Sequence, residues 1–138
     1  MPKPVTETAA ALPPLAAEHF AGKLAFEADC ADVHAALKGG APGFVLLEAR
    51  GPEAYAPGHV PGALNLPHGA ITEEALAAWP RDALFVVYCA GPHCPQSGYA
   101  AEKLQALGYT NVRAYEGGLE EWTGLGRTVE RTEEPVAV

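Results

Sequence analysis

The sequence predicts an α/β domain built on a mostly parallel sheet. Phe44–Leu47 and Ala83–Tyr88 are continuous apolar runs rather than alternating ones, the mark of strands covered on both faces. These runs alternate with segments that carry helix caps and apolar stripes. The chain has 138 residues, 49% hydrophobic and 19% charged, the size and balance of a single globular domain. A domain of this size buries roughly 68% of the surface of its unfolded chain. It needs no disulfide or metal to fold.

The elements follow in order. Residues 1–12 read as a loose lead-in, residues 13–126 as the folded domain and residues 127–138 as a polar, fraying tail. Pro13 and Pro14 suit the first turn of a short helix to Phe20. Lys23–Glu27 reads as a short strand with Leu24 and Phe26 on one face. Asp29 is placed to cap a helix to Lys38, with Val33, Ala36 and Leu37 as its stripe and Gly39-Gly40 as its stop. After the Phe44–Leu47 strand comes a short strand at Ala63–Leu66. A helix from Thr72 to Ala78 is expected next, ended by Pro80. Ala83–Tyr88 is the best candidate for a central strand. Ser97–Leu107 is an amphipathic helix with Ala100, Ala101, Leu104 and Leu107 inward and Gly108 as its cap. Asn111–Tyr115 is the last strand, and Gly117-Gly118 turns into a short helix through Trp122.

Net charge is -8, from 17 acidic and 9 basic side chains. That balance argues against nucleic acid, whose phosphates call for clustered Lys and Arg, and against an anionic membrane surface. No apolar stretch approaches a membrane span, and the prolines after the alanine-rich N-terminus break any signal segment. Three cysteines, Cys30, Cys89 and Cys94, are too few and odd in number for the disulfide framework of a secreted domain. A reducing, cytoplasmic location is expected.

The most informative stretch is Cys89-Ala-Gly-Pro-His-Cys-Pro-Gln96, between the central strand and a helix. In a parallel sheet, ligands sit beyond the carboxyl ends of the strands. The peptide N–H groups of such a turn converge on the sulfur, and the next helix aims its N-terminus the same way. Both favour an anion, whether a thiolate, a persulfide or a bound oxyanion. Gly91 lets the backbone come close, and Pro92 and Pro95 stiffen the loop. Taken alone, Cys89 reads equally as a small buried hydrophobe.

The wider pattern tips that balance. Leu47-Glu-Ala-Arg-Gly-Pro-Glu-Ala-Tyr-Ala-Pro-Gly-His-Val-Pro-Gly-Ala-Leu-Asn-Leu-Pro67 is similar to the first signature of the rhodanese family. Val87-Tyr-Cys-Ala-Gly91 resembles its active-site strand, and Ala100-Ala-Glu-Lys-Leu-Gln-Ala-Leu-Gly-Tyr109 the helix behind the loop. Tyr115-Glu-Gly-Gly-Leu-Glu-Glu-Trp122 resembles its terminal signature. The resemblance spans about Leu24 to Gly126. It implies a rhodanese-like, five-stranded, mainly parallel sheet with helices on both faces. It also implies a sulfurtransferase that takes a sulfane sulfur from thiosulfate, a persulfide or a polysulfide. The sulfur rides on Cys89 as a persulfide and passes to a thiol or cyanide, with no metal or organic cofactor. A protein sulfur acceptor is a further candidate partner.

Ala90, Gly91, His93, Cys94 and Gln96 are then the candidate substrate cradle, and Arg50 a supporting residue. Cys94 reads either as a thiol that resolves the persulfide or as a plain loop side chain. Zinc at Cys89, His93 and Cys94 lacks a fourth ligand. Glu48 and Arg50 are expected to organise the loop before Tyr55 through an ion pair. The loop carries no Arg or Lys, only His93, which disfavours thiosulfate as donor. It is also longer than in short-loop relatives, so an arsenate reductase or phosphatase of the same fold is the first alternative. A dianion without a cation is held poorly there. A non-catalytic binding or sulfur-sensing module is the second.

Overall fold

A computed structural model describes residues 8–39 and 43–132. Four parallel strands form one sheet: β1 (Val45–Glu48), β2 (Leu64–Asn65), β3 (Leu84–Tyr88) and β4 (Asn111–Tyr115), in the order β2-β1-β3-β4. The helices are α1 (Pro13–Phe26), α2 (Cys30–Lys38), α3 (Pro52–Tyr55), α4 (Gln96–Ala106) and α5 (Gly118–Gly124). The chain leaves β1 toward β2 on one side and resumes at β3 on the other. The sheet therefore switches direction between β1 and β3, where open α/β sheets form their ligand crevice.

Residue alternation along β3 builds both cores. Phe85 and Val87 pack with Leu47, Ala100, Leu104 and Tyr109 on the α4 side. Val86 and Tyr88 pack with Cys30, Val33, Tyr115 and Trp122 on the α2 and α5 side. Every residue of β3 after Leu84 is buried, as its unbroken apolar run requires. Asp29 caps α2 as expected, its side chain accepting the Asp32 N–H at 2.8 Å. Gly39 ends that helix in right-handed geometry, and Gly40 lies outside the described residues.

Three expectations are corrected. Lys23–Glu27 is not a strand but the last turns of α1, leaving four strands where five were expected. Glu27 meets the sheet through a single parallel bridge to Ala114 of β4, and Leu24 O accepts a side-chain hydrogen bond from Arg113 of the same strand. The apparent alternation rested on two residues. Both are exposed: Leu24 by 78% and Phe26 by 66%. Helix-forming neighbours and the Lys23–Glu27 pair at 3.1 Å carry the helix through instead.

Thr72–Ala78 is a string of turns, not a helix. Seven residues closed by Pro80 do not repay helix nucleation, and the Thr72 hydroxyl accepts the Ala75 N–H at 3.1 Å locally. Residues 127–132, expected as the start of a tail, run back along the loop after α3. Glu130 and His59 exchange backbone hydrogen bonds at 2.9 and 3.0 Å, and Thr132 N–H donates to Ala56 O at 2.8 Å. Residues 133–138 lie outside the described residues. Helix α3 and a single 3-10 turn at His68–Ala70 went unforeseen, being only one turn each.

Candidate active-site loop

Cys89 follows β3 directly, at the carboxyl edge of the sheet and beside the switch between β1 and β3. Its residue is 1% exposed. The register puts Glu48, Tyr88 and Tyr115 side by side at that edge. Ala49 N–H donates to Tyr88 O at 2.8 Å, which extends the ladder one step further.

The loop after Cys89 is held from behind by α5. Leu119 N–H donates to Cys89 O at 3.0 Å, and Glu120 N–H to Ala90 O at 2.7 Å. This close approach is possible because Gly118 has no side chain. A Cβ there would stand 2.5 Å from Cys89 O and 2.9 Å from Gly91 N, and its φ of +60° is a conformation that glycine adopts freely. Gly91 is equally confined: a Cβ on it would lie 2.7 Å from a Glu120 carboxylate oxygen. A negative side chain therefore stands on the flank of the loop.

Within the loop, Cys94 N–H turns back to Gly91 O at 3.0 Å. Among the described residues, the N–H groups of Ala90, Gly91, His93 and Gln96 find no hydrogen-bond acceptor. Pro92 and Pro95 have none to give. Four unpartnered donors thus lie in the segment that follows Cys89 and runs into the N-terminus of the 11-residue helix α4. Cys89 and Cys94 are joined as a disulfide, with their Cα atoms 6.2 Å apart. The third cysteine, Cys30, is free and buried at the start of α2. The pair spans five residues of one loop and staples no two elements together.

The other expected residues divide. Ala90 and His93 are exposed, and His93 makes no ion pair among the described residues. Gln96 opens α4, but its Oε1 faces Nδ1 of His68 at 2.9 Å. Arg50 is committed elsewhere. Its Nε and Nη2 donate to the two oxygens of Glu48 at 3.0 and 2.9 Å, and Nη2 also reaches Gly58 O at 2.9 Å. Glu48 is fully buried. Tyr88 OH donates to its Oε1 at 2.7 Å and accepts the Val60 N–H at 2.9 Å. Burial, then the neighbouring Glu48 charge, pushes the Tyr88 hydroxyl pKa far above its ordinary value. The expected ion pair between Glu48 and Arg50 is present, and Arg50 Nη2 also ties down Gly58 O in the loop after Tyr55. Sequence reasoning missed Glu120 and His68, because both reach the loop from distant segments; His68 carries no motif, and the terminal signature that holds Glu120 gives no sign that it lies against Gly91.

A separate cavity of about 420 Å³ lies at the opposite end of the strands, lined by Leu84, Phe44, Val33, Lys23 and Asp29. It is far from Cys89 in the fold and has no part in this site. No helix among the described residues is long and apolar enough to cross a membrane.

Comparison with known proteins gives this geometry its context. The chain is 37% identical over 82 residues to the thiosulfate sulfurtransferase GlpE of Pseudomonas entomophila, covering 59% of this chain and 72% of that one. It is 38% identical over 76 residues to the thiosulfate sulfurtransferase PspE of Escherichia coli, covering 54% of this chain and 70% of that one. The crystal structure of the BH2092 protein from Bacillus halodurans superposes with a TM-score of 0.81 at 32% identity, covering 89% of each chain. Residues 29–125, which hold the whole sheet, the cysteine loop and the α5 brace, match the rhodanese-like domain, and the chain belongs to that family.

Proposed function

We propose that this protein is a sulfurtransferase in which Cys89 carries sulfur as a persulfide. The observation that carries the reading is a buried cysteine at the carboxyl end of β3, in a loop with four unpartnered N–H donors. The names of the two curated relatives support it. With the loop reduced, the Cys89 thiolate attacks the outer sulfur of a donor. A bond forms between Sγ and that sulfur, and the donor's own sulfur bond breaks. The terminal sulfur then carries a negative charge that the loop N–H groups and the α4 N-terminus favour. An acceptor thiolate or cyanide takes the terminal sulfur and frees Cys89. Donor and acceptor use one cysteine in turn, so kinetics are ping-pong.

Persulfides and polysulfides are the favoured donors. Thiosulfate brings a sulfonate end, for which the loop offers no cation: Arg50 is engaged by Glu48, and Glu120 adds a carboxylate at the flank. The same features disfavour a phosphate or arsenate dianion. Two thiols that must be kept reduced for turnover fit a reducing, cytoplasmic setting. A protein thiol is one candidate acceptor, because His93 and Ala90 present the loop to solvent.

Intact-protein mass tests the reading. The reduced protein is exposed separately to thiosulfate and to glutathione persulfide, then to cyanide. To keep the load in place, the measurement is made on Cys94→Ser. We expect a gain of one sulfur with the persulfide, little with thiosulfate, removal by cyanide, and no gain in Cys89→Ser. A Cys89 that stays free and alkylatable with both donors would sink the proposal.

A second expectation concerns the missing cation. His93→Arg places a guanidinium at the exposed tip of the loop. A charge-assisted hydrogen bond there is worth about 1.5–3 kcal/mol, so kcat/KM for thiosulfate should rise at least about tenfold. The value for glutathione persulfide should change far less.

A further inference from the structure

We propose that the loop contains its own acceptor: Cys94 resolves the Cys89 persulfide, so that the protein reduces sulfane sulfur and releases it as hydrosulfide. This rests on the sulfur-carrier reading above and adds a second chemical step to it.

The disulfide is formed inside the native loop. The two hydrogen bonds from α5 to Cys89 O and Ala90 O are in place while Cys89 and Cys94 are bonded. So is the turn that brings Cys94 N–H to Gly91 O. Cys94 therefore reaches Cys89 without local unfolding. What it reaches is Sγ of Cys89, the inner sulfur of a persulfide, and not the outer one. Attack at the inner sulfur expels the outer sulfur, whereas attack at the outer sulfur would only move the load to Cys94. Hydrosulfide is a weaker base than an alkyl thiolate and is the better leaving group. Cys94 is also half-buried beside exposed Pro92, His93 and Pro95, so a reductant can reach its side of the bond.

The step balances as follows. The Cys94 thiol gives its proton, through solvent, to the outer sulfur of the persulfide, and its thiolate bonds to Sγ of Cys89. The bond between Sγ and the outer sulfur breaks, and hydrosulfide leaves with the electron pair. The cysteines are now oxidised to the disulfide, and the sulfane sulfur is reduced to sulfide. A dithiol reductant then attacks the disulfide, becomes a disulfide itself and restores both thiols. Per cycle, one persulfide and one dithiol give one thiol, one hydrosulfide and one oxidised dithiol. Cys30 takes no part, being free and buried against the other face of the sheet.

The experiment is a single turnover. The full chain is reduced, freed of reductant, and given one equivalent of glutathione persulfide under anaerobic conditions. Released sulfide and intact mass are read over time for the wild type, Cys94→Ser and Cys94→Ala. The wild type should release close to one sulfide per chain and finish without added sulfur, with Cys89 and Cys94 closed to alkylation. Both Cys94 variants should keep the added sulfur and release sulfide only when a dithiol is supplied. A wild type that holds its sulfur as stably as the loaded variants would overturn the inference while leaving the carrier reading intact. Variants that load and then release sulfide as fast as the wild type would overturn it too. Failure of the folded Cys94 variants to load at all, with Cys89 alkylatable, would overturn the carrier reading itself.

Discussion

Gly118 sits where two backbones pass within contact distance, and its missing side chain decides whether the cysteine loop can be held. Gly118→Ala forces a methyl toward Cys89 O and demands a left-handed φ of alanine. Such a substitution costs more than about 1 kcal/mol. The strain falls on the loop, so the rate of sulfur loading should drop more than the denaturation midpoint does. Comparing the loading rate with a urea titration separates the two effects. A variant with a lower midpoint but an unchanged rate would show that α5 does not set the loop's geometry. The role of Glu120 has the same origin: it is pressed against Gly91 by the hydrogen bond that its own N–H makes to Ala90 O.

At the scale of elements, the segment after α5 behaves as part of the fold. Trp122 Nε1 donates to Thr128 O at 2.8 Å, and Gly62 N–H to a Glu130 carboxylate oxygen at 2.8 Å. His59 stacks on Tyr55 at 3.8 Å and places its Nε2 3.8 Å from that same Glu130 oxygen. A chain ending at Gly126 loses these bonds and leaves His59 and Ala56 backbone groups unpaired. Its stability should fall by about 1–3 kcal/mol, read from chemical denaturation. An unchanged midpoint would restore the expectation of a polar, fraying tail beyond residue 126. Helix α1 behaves in the opposite way. It buries none of its residues and meets the sheet only near its end, where Arg113 Nη1 donates to Leu24 O at 3.1 Å.

The whole molecule keeps three tyrosine hydroxyls protonated beyond their ordinary range. Burial raises the pKa of Tyr55, Tyr88 and Tyr115, reinforced by Glu48 for the first two and by Cys30 for the third. The folded state holds these protons, while an unfolded tyrosine loses its proton near pH 10. Their contribution to stability is therefore present below about pH 10 and lost as pH rises above it. Denaturation midpoints measured from pH 8 upward should fall on the alkaline side of that value. Tyr88→Phe should be less stable at neutral pH by about 1–3 kcal/mol, with Glu48 short of a donor and Val60 N–H unpaired. Its alkaline decline should also be shallower, because one of the three protons is gone.

Much of this architecture was legible along the chain. The unbroken run at Ala83–Tyr88 identified the central strand, and Asp29 identified the start of α2. The pairing of Glu48 with Arg50 came with the family resemblance of the segment that holds them. Legibility ended where a partner comes from far away. Nothing near Gly118 in sequence says that Cys89 O lies against it. Nothing near Lys23–Glu27 says that the segment pairs with β4 only through one bridge at Glu27. The spacing of Cys89 and Cys94 allows a bond but does not require one. The Gly91 turn that closes the distance is a property of the folded loop.

The two hydrogen bonds from α5 to the cysteine loop also set an order of events during synthesis. The ribosome delivers Cys89 well before Leu119 and Glu120, the residues that grip it. β3 follows its neighbour β1, while its other neighbour β4, and then α5, come after the loop. A nascent chain thus presents the Cys89 thiol on an unfinished loop, and the grip on that loop is completed only once α5 has emerged.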